Sequence, residues 1–331
     1  MNISRVLILG GTGFVGRHVC EHLARLGVHM TVPTRRAVNA AAVQSLPRLT
    51  VVEADIHDPV QLEKLMQGHD AVVNLVAILH GDAAAFDRVH VQLPRTLAKV
   101  CKAEGVTRLV HVSALGADPQ GPSLYQRSKA HGEQVLQQAV QTSDLALTLL
   151  RPSVIFGTDD AFINLFAKLQ AVFPVMPLAG AGTRFQPVWV QDVAQAIVHA
   201  VLHRTTVGHI YDLVGPEVLT LKQLVEHAGL WAGHPRWVFA LPHALAYAQA
   251  LVMEMMPGAP LMSRDNLASM QVANVAPTVV CTSNHLGRFE AFADGEALCE
   301  MLVLCTCNDL IFWVLCHEPH GKFNCFFVPA R

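Results

Sequence analysis

Near its start the chain reads Val6-Leu-Ile-Leu-Gly10-Gly11-Thr12-Gly13-Phe14-Val15-Gly16, an apolar run followed by a glycine turn and the start of a helix. Gly10 permits a tight turn after the strand, Gly13 lets the backbone approach a pyrophosphate, and Gly16 lets the helix pack closely on the strand. The free N–H groups and the dipole at the start of a helix favour an anion. The stretch therefore predicts a dinucleotide-binding turn, the alternative being a turn that only connects a strand to a helix. The residues expected to line the diphosphate are Gly10, Gly11, Thr12, Gly13, Phe14, Val15 and Gly16.

Short apolar segments alternate with helical segments over the first 150 residues. The predicted strands are residues 6–9, 30–32, 49–52, 71–76, 109–112 and 145–150. The predicted helices are residues 15–26, 60–66, 83–104 and 129–140. Buried parallel strands are short and apolar without strict alternation, and they need helical crossovers. The pattern predicts an α/β fold, a Rossmann-type doubly wound parallel sheet.

The alternation ends after Arg151-Pro152, where segments rich in proline and glycine separate further helices. We predict a nucleotide-binding domain over residues 1–155, with a return segment near 186–215. A smaller, mostly helical C-terminal domain over 156–285 would hold the substrate or a partner. Residues 286–331 form a divergent, cysteine-rich tail that is expected to add no chemistry.

Composition limits the classes of partner. The net charge of −2 argues against nucleic acid, since no basic excess would neutralise phosphates. Charged residues make up 15% of the chain, against about 25% in typical soluble domains, so the chain is either closely packed or keeps an apolar face for a partner or a membrane surface. The start of the chain lacks a secretory pattern, and Cys20 and Cys101 alone precede residue 280. The expected location is cytoplasmic, with a peripheral position at the inner membrane as the alternative.

The end of the second strand indicates which dinucleotide is bound. NAD-preferring folds carry an acidic residue about 20 residues after the glycines, but no Asp or Glu occurs between His22 and Val52. Arg35 and Arg36 stand there instead, and a guanidinium pairs well with a 2′-phosphate. This predicts NADP(H) in preference to NAD(H), unless the two arginines are merely solvated. Asp55, after the third strand, is expected near the adenine or, alternatively, as a helix N-cap.

A second group of residues suggests acid–base chemistry. Tyr125 and Lys129 are four residues apart and share one face of a helix. Ser113 ends the fifth strand, at the sheet edge where α/β folds bind ligands. We expect Lys129 to lower the pKa of the Tyr125 phenol from about 10 towards ~7, and Ser113 to bind a substrate carbonyl. An ordinary i,i+4 surface pair is the alternative.

These motifs resemble one protein family. The relevant stretches are His111-Val-Ser-Ala-Leu-Gly116, Tyr125-Gln-Arg-Ser-Lys-Ala130, Arg151-Pro-Ser-Val-Ile-Phe-Gly157 and Gln186-Pro-Val-Trp-Val-Gln-Asp-Val193. With the glycine turn they resemble the extended or atypical short-chain dehydrogenase/reductase family over residues 1–285. More narrowly, they are similar to the subgroup containing the NADPH-binding accessory subunit of respiratory complex I and its bacterial relatives.

The resemblance implies bound NADP(H), with Tyr125 as the acid–base residue and Lys129 holding the nicotinamide ribose. His90 stands where the family often carries an asparagine of a proton relay, and a neutral imidazole can both donate and accept. The predicted catalytic set is Ser113, Tyr125 and Lys129. The predicted cofactor contacts are completed by Arg35, Arg36, Asp55, Ile56, Val76, Ala77, Tyr125, Lys129, Pro152 and Val154.

Three functions follow. The first is an NADP-dependent oxidoreductase acting on a carbonyl or hydroxyl of a small apolar substrate, such as a quinone- or lipid-like molecule. The second is an accessory protein that holds its nucleotide without turnover in a respiratory NADH:quinone oxidoreductase. A nucleotide-sugar epimerase or dehydratase is the weaker third, because Arg184 is the one evident residue in the second domain for a diphosphate-sugar.

Two C-terminal stretches are less informative. Residues 238–256 are nearly uncharged and predict a core helix, or alternatively an interfacial helix or the wall of an apolar pocket. Residues 297–316 are apolar but contain Glu300 and Asp309, which makes membrane spanning costly. The cysteines and histidines of the tail fit no paired metal-ligand pattern, so no metal site is predicted.

Overall fold

The computed structural model describes residues 3–255 and 262–277 and, beyond them, the backbone of four short strands. The first half contains β1 Arg5–Leu9, α1 Phe14–Arg25, β2 His29–Thr34, β3 Leu49–Glu53, α2 Pro59–Met66, β4 Ala71–Asn74, α3 Ala83–Asp87, α4 Leu93–Glu104, β5 Arg108–Val112, α5 Leu124–Val140 and β6 Ala146–Pro152. A 3-10 helix spans Ala37–Ala40, and a π-helical turn at Arg88–Gln92 joins α3 to α4.

The second half consists of shorter elements. They are β7 Ile155–Phe156, α6 Ile163–Val172, β8 Val175–Leu178, β9 Arg184–Phe185, β10 Val188–Trp189, α7 Val190–Leu202, the 3-10 helix Arg204–Thr206, β11 Ile210–Leu213, β12 Leu219–Thr220, α8 Leu221–Trp231, β13 Trp237–Ala240, α9 His243–Met255 and α10 Arg264–Ser269. The four further strands are β14 Leu286–Gly287, β15 Met301–Cys307, β16 Leu310–Cys316 and β17 Phe327–Pro329.

The main sheet has the order β11-β6-β5-β4-β1-β2-β3, with all seven of these strands parallel and β17 antiparallel on the β11 edge. From β1 the chain adds β2 and β3 on one side of the sheet. It then crosses back and adds β4, β5, β6 and β11 on the other side, so β1 and β4 are neighbours. Ligands of open α/β sheets bind at the carboxyl ends of the strands beside such a switch point. The predicted Rossmann-type sheet is confirmed, and the glycine turn lies at this point.

Both faces of the sheet are covered. Val6 and Ile8 of β1 belong to a core shared with α1 and α7, whereas Leu7 and Leu9 pack with α2 and α4 on the other face. Because neighbouring side chains of a strand point to opposite faces, a strand that is buried on both faces must be apolar throughout. This explains why the strands read as continuous apolar runs.

Some element boundaries differ from the prediction. The helix predicted over 83–104 contains the π-helical turn, in which the N–H of Leu93 bonds to the carbonyl of Arg88. Pro94 has no N–H to offer the carbonyl of His90, so the regular helical ladder is interrupted there. Helix α5 begins at Leu124 rather than Lys129, because Ser123 forms a capping box with Gln126.

The smaller unit has its own core, formed by α6, α8 and the paired strands β8 and β13. The prediction of a single core helix over 238–256 is wrong: residues up to Ala240 lie in β13, and α9 buries Ala246 and Ala250 while its larger side chains stay exposed. Because α9 packs through the short side chains of Ala246 and Ala250, its contact is shallow, and larger side chains such as Tyr247 stay at the surface. Among the described residues, every helix is too short or too polar to span a bilayer.

Candidate nucleotide-binding and catalytic site

The turn after β1 has no room for side chains. Gly10 adopts φ +83°, and a Cβ there would lie 3.3 Å from Leu75. A Cβ at Gly13 would lie 3.2 Å from the carbonyl oxygen of Gly10, and one at Gly16 would overlap that same oxygen. Gly13 is the N-cap of α1 and contributes no side-chain cap. The backbone N–H groups at the start of α1 therefore face a cradle without side chains, which suits a diphosphate.

Arg35 and Arg36 follow β2 and are exposed. Burial lowers the pKa of His57, and the nearby cations Arg88 and Arg35 lower it further. Arg35 therefore lies close to the loop after β3 that carries Asp55 and Ile56. Arg35, and Arg88, which sequence reasoning missed, thus both act electrostatically on the loop where the adenine is expected.

Asp55 is not a helix cap. Its Oδ1 accepts the N–H of His57 at 2.9 Å, forming a local turn. Asp58 caps α2 instead, accepting the N–H of Val60 at 2.9 Å. The alternative interpretation of Asp55 is therefore wrong, because the helix begins at Pro59, immediately after Asp58. Asp55 and Ile56 remain half-buried at the carboxyl edge of the sheet.

The loop after β4 lies beside a buried polar pair. The N–H of Val76 donates to Oδ1 of Asn74 at 3.2 Å, and the Asn74 amide contacts Nδ1 of His111 at 3.0 Å. Val76 is half-buried and Ala77 is exposed. At the end of β6, the carbonyl of Pro152 accepts the N–H of Leu115 at 2.9 Å. Val154 packs at the border of the smaller core. These predicted contacts all follow parallel strands and share the edge that carries the glycine turn.

Ser113 leaves β5 with a buried hydroxyl. The side chain is 4% exposed, and its Oγ has no hydrogen-bond partner among the described residues. Its backbone is fixed, because its N–H donates to the carbonyl of Leu150 at 2.7 Å. A buried polar atom without a partner is costly. The hydroxyl is therefore suited to a ligand that completes its hydrogen bonding.

Lys129 and Tyr125 extend from the first two turns of α5. The Lys129 ammonium donates to the carbonyl of Val112 at 3.0 Å, and burial lowers its pKa to about 8 while Glu133 opposes this. Burial raises the pKa of Tyr125 to about 12. The expected fall of the phenol pKa towards ~7 is therefore wrong for this structure, because burial raises that pKa. The Tyr125 ring packs edge-on against Phe86 and His90 instead.

His90 is fully engaged. Its Nε2 accepts the N–H of Ile78 at 3.1 Å, and its Nδ1 lies 2.8 Å from Oγ of Ser128, which donates to the carbonyl of Tyr125 at 2.9 Å. Burial and the charge of Lys129 lower the His90 pKa to about 3. His90 is therefore neutral and ties the loop after β4 to α5. Both ring nitrogens therefore already have hydrogen-bond partners in this structure.

Sequence reasoning missed an ion pair behind Lys129. Glu133, one turn further along α5, binds Arg151 of β6 through two contacts, one of them 2.9 Å from Nε to Oε1. Asp212 of β11 is the register partner of Arg151. The i,i+4 spacing of Lys129 and Glu133 was a usable signal, whereas the pairing of β6 with β11 was not visible locally. Within the described residues no cluster of three or more His, Cys, Asp or Glu side chains could hold a metal ion, and the side chains of the tail cysteines lie outside them.

Comparison with known proteins identifies a family and several similar proteins. The family described as the NAD dependent epimerase/dehydratase family matches residues 6–213. Subunit 9 of the NADH dehydrogenase [ubiquinone] 1 alpha subcomplex from Mus musculus is 32% identical over 279 residues, spanning 82% of this chain and 72% of the relative. A ceramide reductase from Caulobacter vibrioides is 30% identical over 194 residues, spanning 58% of this chain and 59% of the relative.

A solved structure agrees in fold. The UDP-glucose 4-epimerase of Thermus thermophilus in complex with NAD has a TM-score of 0.62 at 21% identity and spans 81% of this chain and 99% of that one. The chain belongs to the NAD dependent epimerase/dehydratase family, whose members are extended short-chain dehydrogenases/reductases that bind a nicotinamide dinucleotide.

Proposed function

We propose that this member of the NAD dependent epimerase/dehydratase family reduces a carbonyl group on a small apolar substrate with NADPH. The observation that carries the proposal is the buried hydroxyl of Ser113, which lacks a partner among the described residues at the edge where Tyr125 and Lys129 lie. A carbonyl oxygen would satisfy that hydroxyl. Similarity to a ceramide reductase supports a substrate with an acyl chain.

The protonation of the site favours reduction. With a pKa of about 12, the Tyr125 phenol keeps its proton at neutral pH and can donate it to a carbonyl oxygen. Ser113 would donate a hydrogen bond to the same oxygen. When bound, NADPH supplies the hydride that adds to the carbonyl carbon, and the proton from Tyr125 completes the alcohol. Lys129, held by the Val112 carbonyl, would stabilise the tyrosinate until solvent returns the proton.

Support for NADP(H) over NAD(H) comes from the loop after β2. Arg35 and Arg36 are exposed there, and from the start of β2 to the end of β3 the first acidic residue is Glu53. The Glu53 carboxylate accepts the N–H of Ala37 at 2.5 Å, so this acid is already bonded to the backbone of the loop after β2. A guanidinium that meets a 2′-phosphate contributes about 1.5–3 kcal/mol.

Nucleotide preference is tested by thermal unfolding with NADPH, NADP, NADH and NAD side by side. A ligand at 100 times its Kd adds about 2.7 kcal/mol of stability. We expect NADPH to stabilise the chain more than NADH, and we expect the double change Arg35→Ala and Arg36→Ala to remove that difference. Arg95→Ala is the matched control, because Arg95 is an exposed arginine of α4 bonded to Gln92. Stronger stabilisation by NADH would contradict the assignment.

Turnover is tested by following NADPH oxidation with a 3-oxoacyl ester as the probe. Tyr125→Phe should lower kcat by about 100-fold or more while leaving the NADPH-induced thermal shift unchanged. Tyr247→Phe is the control, since Tyr247 is exposed and contacts Arg264. Equal kcat values for Tyr125→Phe and the wild type would refute the acid–base role.

A second candidate function is favoured by the surface of the smaller unit. Leu245, Tyr247, Leu251, Val252 and Met255 of α9 are exposed, which leaves an apolar face for a partner or a membrane surface. With the engaged His90 and the similarity to a complex I subunit, this supports an intracellular accessory protein that holds NADPH at a respiratory complex on the inner membrane. Purified protein that retains NADPH but oxidises none with any probe would favour this function.

The nucleotide-sugar alternative has less support. Arg184, the residue considered for a diphosphate-sugar, is exposed in β9. Its carbonyl accepts the N–H of Asn274 at 2.8 Å, whereas the structure shows no bond from its guanidinium to another described residue. A UDP-sugar that stabilises the NADPH-bound chain would support this alternative.

A further inference from the structure

The segment 263–276, called here the C-terminal strap, reaches across to the N-terminus of α5. Asp265, in the first turn of α10, accepts the N–H of Leu124 at 2.6 Å through Oδ1 and the N–H of Tyr125 at 3.1 Å through Oδ2. These are the first two residues of the helix that carries Tyr125 and Lys129. Helix N-termini leave N–H groups without partners, and a carboxylate satisfies them well. Asp265 therefore fixes the first turn of α5 from 140 residues away.

The other end of the strap reaches the loop that follows Ser113. The Asn274 side chain donates from Nδ2 to the carbonyl of Leu115 at 3.0 Å and accepts the Ser153 hydroxyl at 2.5 Å. Leu115 lies two residues after Ser113, and Ser153 follows β6 directly. The backbone of Asn274 also bonds to Arg184 and Gln186. Asn274 therefore holds together the loops that leave two neighbouring strands.

The strap is itself anchored in the smaller unit. Arg264 binds Glu254 of α9 at 2.7 Å, and the Thr183 hydroxyl donates to the carbonyl of Met270 at 2.8 Å. Ser263 caps α10 through a capping box with Asn266. These contacts give the strap a defined conformation between its two polar anchors, Asp265 and Asn274.

We propose that Asp265 and Asn274 are positioning residues that set Tyr125 and Ser113 in register around the substrate carbonyl. This inference rests on the proposed function. Tyr125 and Ser113 lie on separate elements, and the strap bonds to the Tyr125 N–H and to the carbonyl of Leu115 in the loop after Ser113. Small misplacements of reacting groups cost up to about 100-fold in rate. The glycine turn after β1 makes none of these contacts, so binding of the diphosphate should survive their loss, whereas the expected nucleotide contacts Tyr125, Pro152 and Val154 lie beside the strap.

The test compares Asp265→Ala, Asp265→Asn and Asn274→Ala in the full chain with the 3-oxoacyl ester and NADPH. We expect Asp265→Ala to lower kcat at least about tenfold, Asp265→Asn to lower it less because one acceptor oxygen remains, and Asn274→Ala to lower kcat and raise KM for the ester. An NADPH-induced thermal shift should persist in all three, because the glycine turn is untouched. Glu226→Gln is the matched control, since Glu226 is half-exposed and paired with Lys222.

Amide hydrogen exchange supplies a readout that needs no turnover. In Asp265→Ala the amides of Leu124 and Tyr125 should exchange faster, and those of α1 should not. A spectroscopic signature follows from the chain's three tyrosines, which 13C labelling at Cζ resolves and Tyr125→Phe assigns. The Tyr125 signal of the NADPH complex should shift in Asp265→Ala and not in Glu226→Gln.

Two results would overturn the inference. One is a kcat within twofold of the wild type for both Asp265→Ala and Asn274→Ala. The other is a loss of the NADPH-induced thermal shift that parallels the fall in the melting temperature of the ligand-free variants. That result would show that the strap only stabilises the fold. If the wild type turns over no probe, the proposed function fails; the inference then stands or falls on the Tyr125 signal, and an unchanged signal in Asp265→Ala refutes it.

Discussion

Asp212 is a buried acid whose charge is only partly compensated. It is 3% exposed, and its Oδ1 has no hydrogen-bond partner among the described residues. Burial raises its pKa to about 6; Arg151 opposes this rise and Glu133 adds to it. Arg151 already makes a two-pronged pair with Glu133, so it supplies Asp212 with little of its hydrogen-bonding capacity. The protein carries an electrostatic cost at this residue at neutral pH.

We expect Asp212→Asn to stabilise the protein at pH 8 by about 1–3 kcal/mol, at ~1.4 kcal/mol for each unit of pKa change. The folded pKa is above the unfolded value, so the stability from protonating Asp212 is fully present below pH ~4 and is lost as pH rises through about 6. The advantage of the variant should therefore vanish near pH 4. Urea unfolding at pH 4.5 and 8 measures this, with the exposed Asp144→Asn as control. A variant less stable than the wild type at pH 8 would mean that pairing with Arg151 dominates.

At the scale of elements, α5 and the π-helical turn pack at one point of close approach. A Cβ placed on Gly132 of α5 would overlap the carbonyl oxygen of His90. That carbonyl lacks a regular helical donor, because Pro94 has no N–H at the required position. The glycine therefore lets α5 approach the turn that carries His90, and this approach brings His90 to Ser128 and Tyr125.

Gly132→Ala should force the two elements apart and destabilise the fold by about 1–3 kcal/mol, the usual cost of overpacking. Because α5 carries Tyr125 and Lys129, kcat should fall along with stability. Thermal unfolding and the NADPH oxidation assay measure the two effects. Gly182→Ala is the control, since a Cβ there meets nothing within 4 Å and the residue needs no positive φ. Equal stability of the two variants would show that the π-helical turn yields without cost.

The features that depend on a few consecutive residues are predictable from the sequence alone. The glycine turn, the buried strands and the shared helix face of Tyr125 and Lys129 each follow from a few consecutive residues. The contacts of Asp265 with α5 and the pairing of Arg151 with Asp212 arise between distant segments, so no spacing rule reveals them. The phenol pKa was predicted wrongly because it depends on burial depth, which neighbouring charges alone do not determine.

At the scale of the whole molecule, the site is assembled by residues up to 277. The glycine turn, the ends of β4, β5 and β6, the start of α5 and the strap all lie within that range. Among the described residues, both cores of the main sheet are likewise built from residues before β12. The sheet receives one further strand, β17, which pairs antiparallel with β11 at its edge. The side chains of the tail 286–331 lie outside the described residues, so the expectation that this tail adds no chemistry stays a prediction.

A chain ended after Arg288 should keep the full NADPH-induced thermal shift. Its melting temperature should fall by about 2–4 °C if the edge pairing of β17 contributes ~1 kcal/mol. A chain ended after Met262 serves as the contrasting variant: it lacks the strap, so it should lose turnover even where NADPH still stabilises it, because Asp265 and Asn274 are absent. Circular dichroism with and without NADPH reports folding and binding together. Loss of the NADPH shift in a folded chain ended after Arg288 would assign the tail a part in nucleotide binding, and the boundary drawn at residue 285 would then have to move.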